Sequence, residues 1–118
     1  MSNEPSQKRS SPRVKVSVPV ELRVPGNDVP HRGATSDLSE SGCYIETMFP
    51  FPIGTNLDLQ LFIQTTVVIS AIVVTCDPQV GNGIGFDKML PEDREALAAF
   101  LEAAQQAQDV SAKGAGAS

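Results

Sequence analysis

"VKVSVPVELRV", residues 14–24, alternates almost without error. Val14, Val16, Val18, Val20, Leu22 and Val24 are apolar, and Lys15, Ser17, Pro19, Glu21 and Arg23 stand between them. A period of two is the signature of a strand with one buried and one wet face. Pro19 has no N–H to give to a ladder, which predicts a free edge or a bulge at that point. The next ten residues, "VPGNDVPHRG" (24–33), are dense in turn formers.

The same grammar repeats downstream. A second strand is expected near Arg32–Ser36 and a third in "SGCYIET" (41–47). "FPFPIGTN" (49–56) is a loop, with Phe49 and Phe51 expected as lids over one end of the structure. "LDLQLFI" (57–63) alternates again, and "VVISAIVVTC" (67–76) is rich in β-branched residues, as expected of a strand buried on both faces. "GNGIGF" (81–86) predicts a glycine-rich turn and a short last strand; no helix opens directly after it, so a phosphate-cradling loop is disfavoured. Then the period changes. Pro91 suits a first helical turn, and Glu92, Asp93 and Glu95 suit its positive end. Leu97, Phe100, Leu101 and Ala104 form one apolar stripe at helical spacing. Five or six short strands closed by turn signals, with a helix at the end, predict an all-β antiparallel barrel or sandwich carrying one C-terminal helix.

Composition limits what such a domain does. With 118 residues, 41% of them hydrophobic, the chain is one globular domain's worth. No apolar run approaches the roughly 20 residues of a membrane helix, and the polar, Pro/Ser-rich start is unlike a signal peptide, so no membrane insertion and a cytoplasmic location are expected. Cys43 and Cys76 are far apart and read as small hydrophobes, and His31 is the lone histidine, so no metal centre, cofactor or catalytic constellation is expected. Residues 1–32 carry six Lys/Arg against three acids, while the rest carries three against eleven. The acidic remainder would repel the phosphates flanking any contact with DNA or RNA, and Trp is absent. A small anion held at the basic end meets no such objection.

Two motifs lie at that end. "RSSPR" places Arg9 and Arg13 four residues apart, with Lys8 just before and Pro12 disfavouring helix at Ser11. Four extended residues span roughly 13 Å and return both guanidinium groups to one face. "DLSESG" follows, with Asp37, Ser39 and Gly42 in the connection to the third strand. Each alone reads as a solvated tail and a turn.

Together they resemble the signature of PilZ domains, Arg-x-x-x-Arg and then Asp/Asn-x-Ser-x-x-Gly. "FPIGTNLDLQL", "GIGF" and "LPEDREALAAFL" are similar to later elements of that family, and the resemblance covers about residues 8–103. It implies a six-stranded antiparallel split β-barrel with a C-terminal helix, a domain over 8–104, and disordered tails at 1–7 and 105–118. It also implies a non-enzymatic receptor for cyclic di-GMP, the bacterial second messenger of motility and biofilm control. Lys8, Arg9, Arg13, Asp37, Ser39 and Gly42 would form its site. The arginine forks suit guanine edges and phosphates. Asp37 suits the N–H donors of guanine's other edge, Ser39 a phosphate or base acceptor, and Gly42 a special backbone angle or a close approach of ligand. In the family, a basic residue at the position of Lys8 is more compatible with a stacked pair of dinucleotides. Ser41 departs from the pattern, since the family often has glycine there. The arginine segment is expected to order around the ligand and change the surface shown to a downstream protein. The alternative is a PilZ-like adaptor that binds no nucleotide and works through protein contacts, as in pilus or motility machinery.

Overall fold

The structure, a computed structural model, describes residues 12–117. Six strands and one helix follow in order: β1 (Pro19–Arg23), β2 (His31–Leu38), β3 (Gly42–Glu46), β4 (Asn56–Phe62), β5 (Thr66–Asp77), β6 (Gly81–Met89) and α1 (Pro91–Ala117). The strands close into a barrel in the order β1-β2-β3-β6-β5-β4, every neighbouring pair antiparallel. This is the expected all-β barrel with one C-terminal helix.

The alternation of residues 14–24 is realised, although only its second half is a strand. Val14, Val18, Val20 and Leu22 all point inward at 5% exposure or less. Before Pro19 the chain is held by the side chain of Thr35 instead of a regular ladder. The Thr35 hydroxyl accepts from Val18 N at 2.9 Å and donates to Val16 O at 2.6 Å, while Val14 and Leu38 exchange backbone bonds. Pro19 is the first residue of β1, a position that tolerates a missing N–H. The expected free edge is absent, because β1 pairs with β2 on one side and β4 on the other.

Two further expectations are corrected. β5 is not buried on both faces: Val67, Ile69, Ala71 and Val73 face the core, but Val68 and Val74 are 52% exposed. A closed barrel has only one inside, so the β-branched run reflects fitness for a pleated wall, not double burial. Nor do the glycines of 81–85 make a turn. They lie within β6, and the turn is Pro78–Val80, where Val80 N bonds Asp77 O at 2.9 Å and Gln79 takes the positive φ of 64° that glycine usually supplies.

Leu97 and Leu101 of α1 join the barrel core, with Phe100 and Ala104 half-buried beside them. The helix runs on to Ala117, past Ala104, where the sequence reading placed the domain's end. Alanine and glutamine, both good helix formers, dominate that stretch. Gln108 Nε2 donates to Lys15 O at 2.6 Å, tying the helix to the segment that leads from Arg13 into β1.

At the opposite barrel mouth only half of the expected aromatic lid forms. Phe51 is half-buried, its backbone bonded to the Asn82 amide and its ring edge-on to His31 at 5.2 Å, whereas Phe49 is 85% exposed. The cysteines are free and unequal. Cys43 is fully buried, and burial, followed by the Asp37 carboxylate, pushes its thiol up to about 12, while Cys76 is only partly buried. A thiol reagent at neutral pH should therefore modify Cys76 in the folded chain and reach Cys43 only on denaturation, as peptide mapping would read directly.

Candidate functional site

Asp37 reaches the surface because β2 is bulged. In strict alternation Thr35 and Asp37 would share the inner face, yet the inward residues are Thr35 and Leu38. The register slips between Thr35 and Asp37, one extra residue is absorbed, and the Asp37 carboxylate turns out of the barrel. There it meets Arg13: Nη1 donates to Asp37 Oδ1 at 2.6 Å, across 24 residues of sequence. Val14 is bridged to Leu38, so the backbone bonds on each side hold the pair together.

This ion pair is exposed, with Arg13 at 56% and Asp37 at 28%. Such pairs contribute about 0–1 kcal/mol. A ligand that takes both partners therefore gives up little by separating them. What the pair presents is a guanidinium fork and a carboxylate side by side, one supplying donors and the other acceptors.

Ser39 and Gly42 stand behind this pair, inside the turn. Ser39 is 1% exposed. Its hydroxyl accepts from Ser41 N and Gly42 N at 3.1 Å each and lies 3.2 Å from Gly42 O, while Ser39 N donates to Gly42 O at 2.8 Å. Those bonds fold the β2–β3 turn that follows Asp37 and Leu38. Gly42 adopts no left-handed angle. It is glycine because β6 lies against it: a Cβ would sit 2.3 Å from Ile84 O. Ser41, the departure from the family pattern, has its carbonyl bonded by Phe86 N at 2.9 Å, which a glycine would offer equally. Lys8 and Arg9 lie outside the described residues.

A groove of about 450 Å³ runs beside the pair, between the incoming chain and α1, lined by Pro12, Val14, Glu40, Leu101 and Gln105. On the other flank stands Tyr44, which no motif singled out. It is the direct cross-strand partner of Asp37, and its hydroxyl donates to Asp77 Oδ2 at 2.7 Å. The only sequence signal for it was the alternation of "GCYIE", which turns Cys43 inward and Tyr44 out. The bond to Asp77 holds the phenol in its neutral form and raises it from 10.0 to about 12. The chain has one Tyr, so alkaline absorbance titration should show a single midpoint near 12, falling toward 10 in Asp77→Asn. Folding gains this contribution below pH 10 and loses it as pH climbs from 10 to 12, because the unfolded phenol ionises first.

Comparison with known proteins agrees with the fold. The sequence profile of the PilZ domain matches residues 7–103. The chain belongs to the PilZ domain family. Among solved structures it is similar to the PilZ domain with c-di-GMP of YcgR from Escherichia coli, with 13% identity and TM-score 0.68, covering 91% of this chain and 99% of that one. It is similar to YcgR in complex with c-di-GMP from the same organism, with 12% identity and TM-score 0.75, covering 92% of this chain and 50% of that one. It is also similar to the Bacillus subtilis inhibitor of motility MotI/DgrA, with 17% identity and TM-score 0.69, covering 85% of this chain and 51% of that one. The chain thus spans about half the length of the motility inhibitor. A search of curated protein sequences finds no match. Among the described residues, no helix is long and apolar enough to cross a membrane.

Proposed function

We propose that this PilZ domain is a non-enzymatic receptor for cyclic di-GMP, and that the dinucleotide binds where Arg13 meets Asp37. The observation that carries the reading is the exposed 2.6 Å pair itself. It offers a guanidinium and a carboxylate at one place on the barrel, held by a bulge and a bonded turn but only weakly by each other. In this reading Asp37 exchanges Arg13 for the N1–H and N2–H donors of guanine. Adenine has no matching donor pair on that edge. Arg13, released, turns to a guanine Hoogsteen edge or a phosphate, a contact of about 1–3 kcal/mol. Lys8 and Arg9 supply further positive charge, the segment that holds them closes over one or two stacked dinucleotides, and a downstream protein reads the altered surface. Similarity to c-di-GMP complexes supports the ligand, and the basic end of an otherwise acidic chain supports the place.

Thermal unfolding with a nucleotide panel tests the specificity. Cyclic di-GMP at concentrations well above its Kd should raise Tm by several degrees, since a hundredfold excess over Kd adds about 2.7 kcal/mol. Cyclic di-AMP should not. Equal shifts from both would remove guanine recognition by Asp37 from the account.

The similarity to an inhibitor of motility favours a second reading, in which the domain acts by protein contact without nucleotide. No shift from any nucleotide, together with capture of a motility protein by the apo domain, would support it.

A further inference from the structure

Cys43 and Ile45 of β3 face the core at 0% and 3% exposure, so Tyr44 between them stands on the outer wall. Its strand neighbours there are Asp37 on β2 and Gly83 on β6. β6 provides a floor without side chains: a Cβ on Gly81 would lie 2.8 Å from Tyr44 Cε2 and would push the ring away. With that space free, the ring lies down across β6 until its hydroxyl reaches Asp77 at the end of β5. The ring is thereby fixed at both ends, by its own strand and by the carboxylate. Tyr44 remains half-buried, and one strand spacing of about 4.8 Å separates its backbone from that of Asp37.

We infer that Tyr44 is the stacking residue of this site, a platform on which one purine of a cyclic dinucleotide lies while Asp37 holds that purine's N–H edge. The inference rests on the receptor reading and extends the site from the Arg13–Asp37 pair across β3 toward β6. A fixed ring gives up little conformational freedom on binding, and a π-face accepts any purine, leaving the choice of guanine to Asp37. Asp77 orients the ring and holds it in the neutral form, with no contact of its own to the ligand.

The composition supplies a probe. The chain has one Tyr and no Trp, so its intrinsic fluorescence comes from this ring alone. Titrating the full chain with cyclic di-GMP, corrected for nucleotide absorption with free GMP, should quench the emission along the same curve that calorimetry gives. Tyr44→Leu should weaken binding by about five- to a hundredfold while the apo chain still folds, its Tm lowered only by the lost bond to Asp77. Tyr44→Phe, which keeps the π-face, should stay within a few-fold of wild type. If calorimetry shows binding but the emission does not change and Tyr44→Leu binds like wild type, stacking is wrong and the receptor reading stands. If wild type gives no binding heat, both fall. Should Tyr44→Leu fail to fold, the quenching of wild type and the affinity of Tyr44→Phe decide.

Discussion

Arg13→Ala is expected to weaken cyclic di-GMP binding by about one to two orders of magnitude and to leave the apo domain's Tm within a few degrees of wild type. The loss corresponds to one bidentate arginine contact, about 1–3 kcal/mol. The stability half of the result follows from exposure. Arg13 is 56% exposed and its bond to Asp37 is open to water, so removing it costs the fold about 1 kcal/mol at most. Asp37 is left exposed enough to be solvated. Calorimetry on the variant, paired with thermal unfolding, separates the two halves. Unfolding of the barrel by this substitution would make Arg13 structural and end its assignment to the ligand. Ser39→Ala should behave in the opposite way, because its buried hydroxyl is spent on the N–H groups of Ser41 and Gly42 and its loss acts through the turn.

Gly42→Ala is expected to carry the largest loss of stability. The added methyl would meet Ile84 O at 2.3 Å and Gly85 Cα at 3.5 Å, backbone that cannot rotate away as a side chain tip would. The β3–β6 ladder, which pairs Gly42 with Gly85 and Cys43 with Ile84, has to part locally. A cost on the order of 3 kcal/mol follows, or roughly 10–20 °C in Tm for a domain of this size. Gly54→Ala provides the contrast. Gly54 has φ of +91° but open space around its missing Cβ, so only backbone strain is at stake, about 1 kcal/mol. Equal Tm values for the two variants would show that the strand approach at Gly42 is not tight. The glycine of the second motif thus serves the sheet.

The barrel was legible because its inner face is written in period two. Val18, Val20 and Leu22, then Leu57, Leu59 and Leu61, name the core without help from tertiary structure. What resisted reading was whatever depends on a neighbour across space. The outer face of β5 looks buried in sequence because Val and Ile suit any pleated wall. Gly81, Gly83 and Gly85 look like a turn, although Gly81 and Gly83 are glycine for close approaches to Ile45 O and Thr75 Oγ1. The turn itself hides in Gln79, a residue seldom chosen for positive φ.

The site divides along the same line. Arg13 and Asp37 were legible as opposite charges in paired motifs, and the structure brings them to 2.6 Å. Ser39 and Gly42 were legible as positions but not as roles, since burial and the approach of Ile84 exist only in the folded barrel. Tyr44 left almost no trace. Its place comes from the register that sets it opposite Asp37 and from glycines some forty residues away.

The most direct test of the central claim is a calorimetric titration of the wild-type chain with cyclic di-GMP, at protein concentrations of tens of micromolar. The account expects a saturable heat, with one or two dinucleotides per chain, that Arg13→Ala and Asp37→Ala both diminish. A flat titration of folded wild-type protein would contradict it.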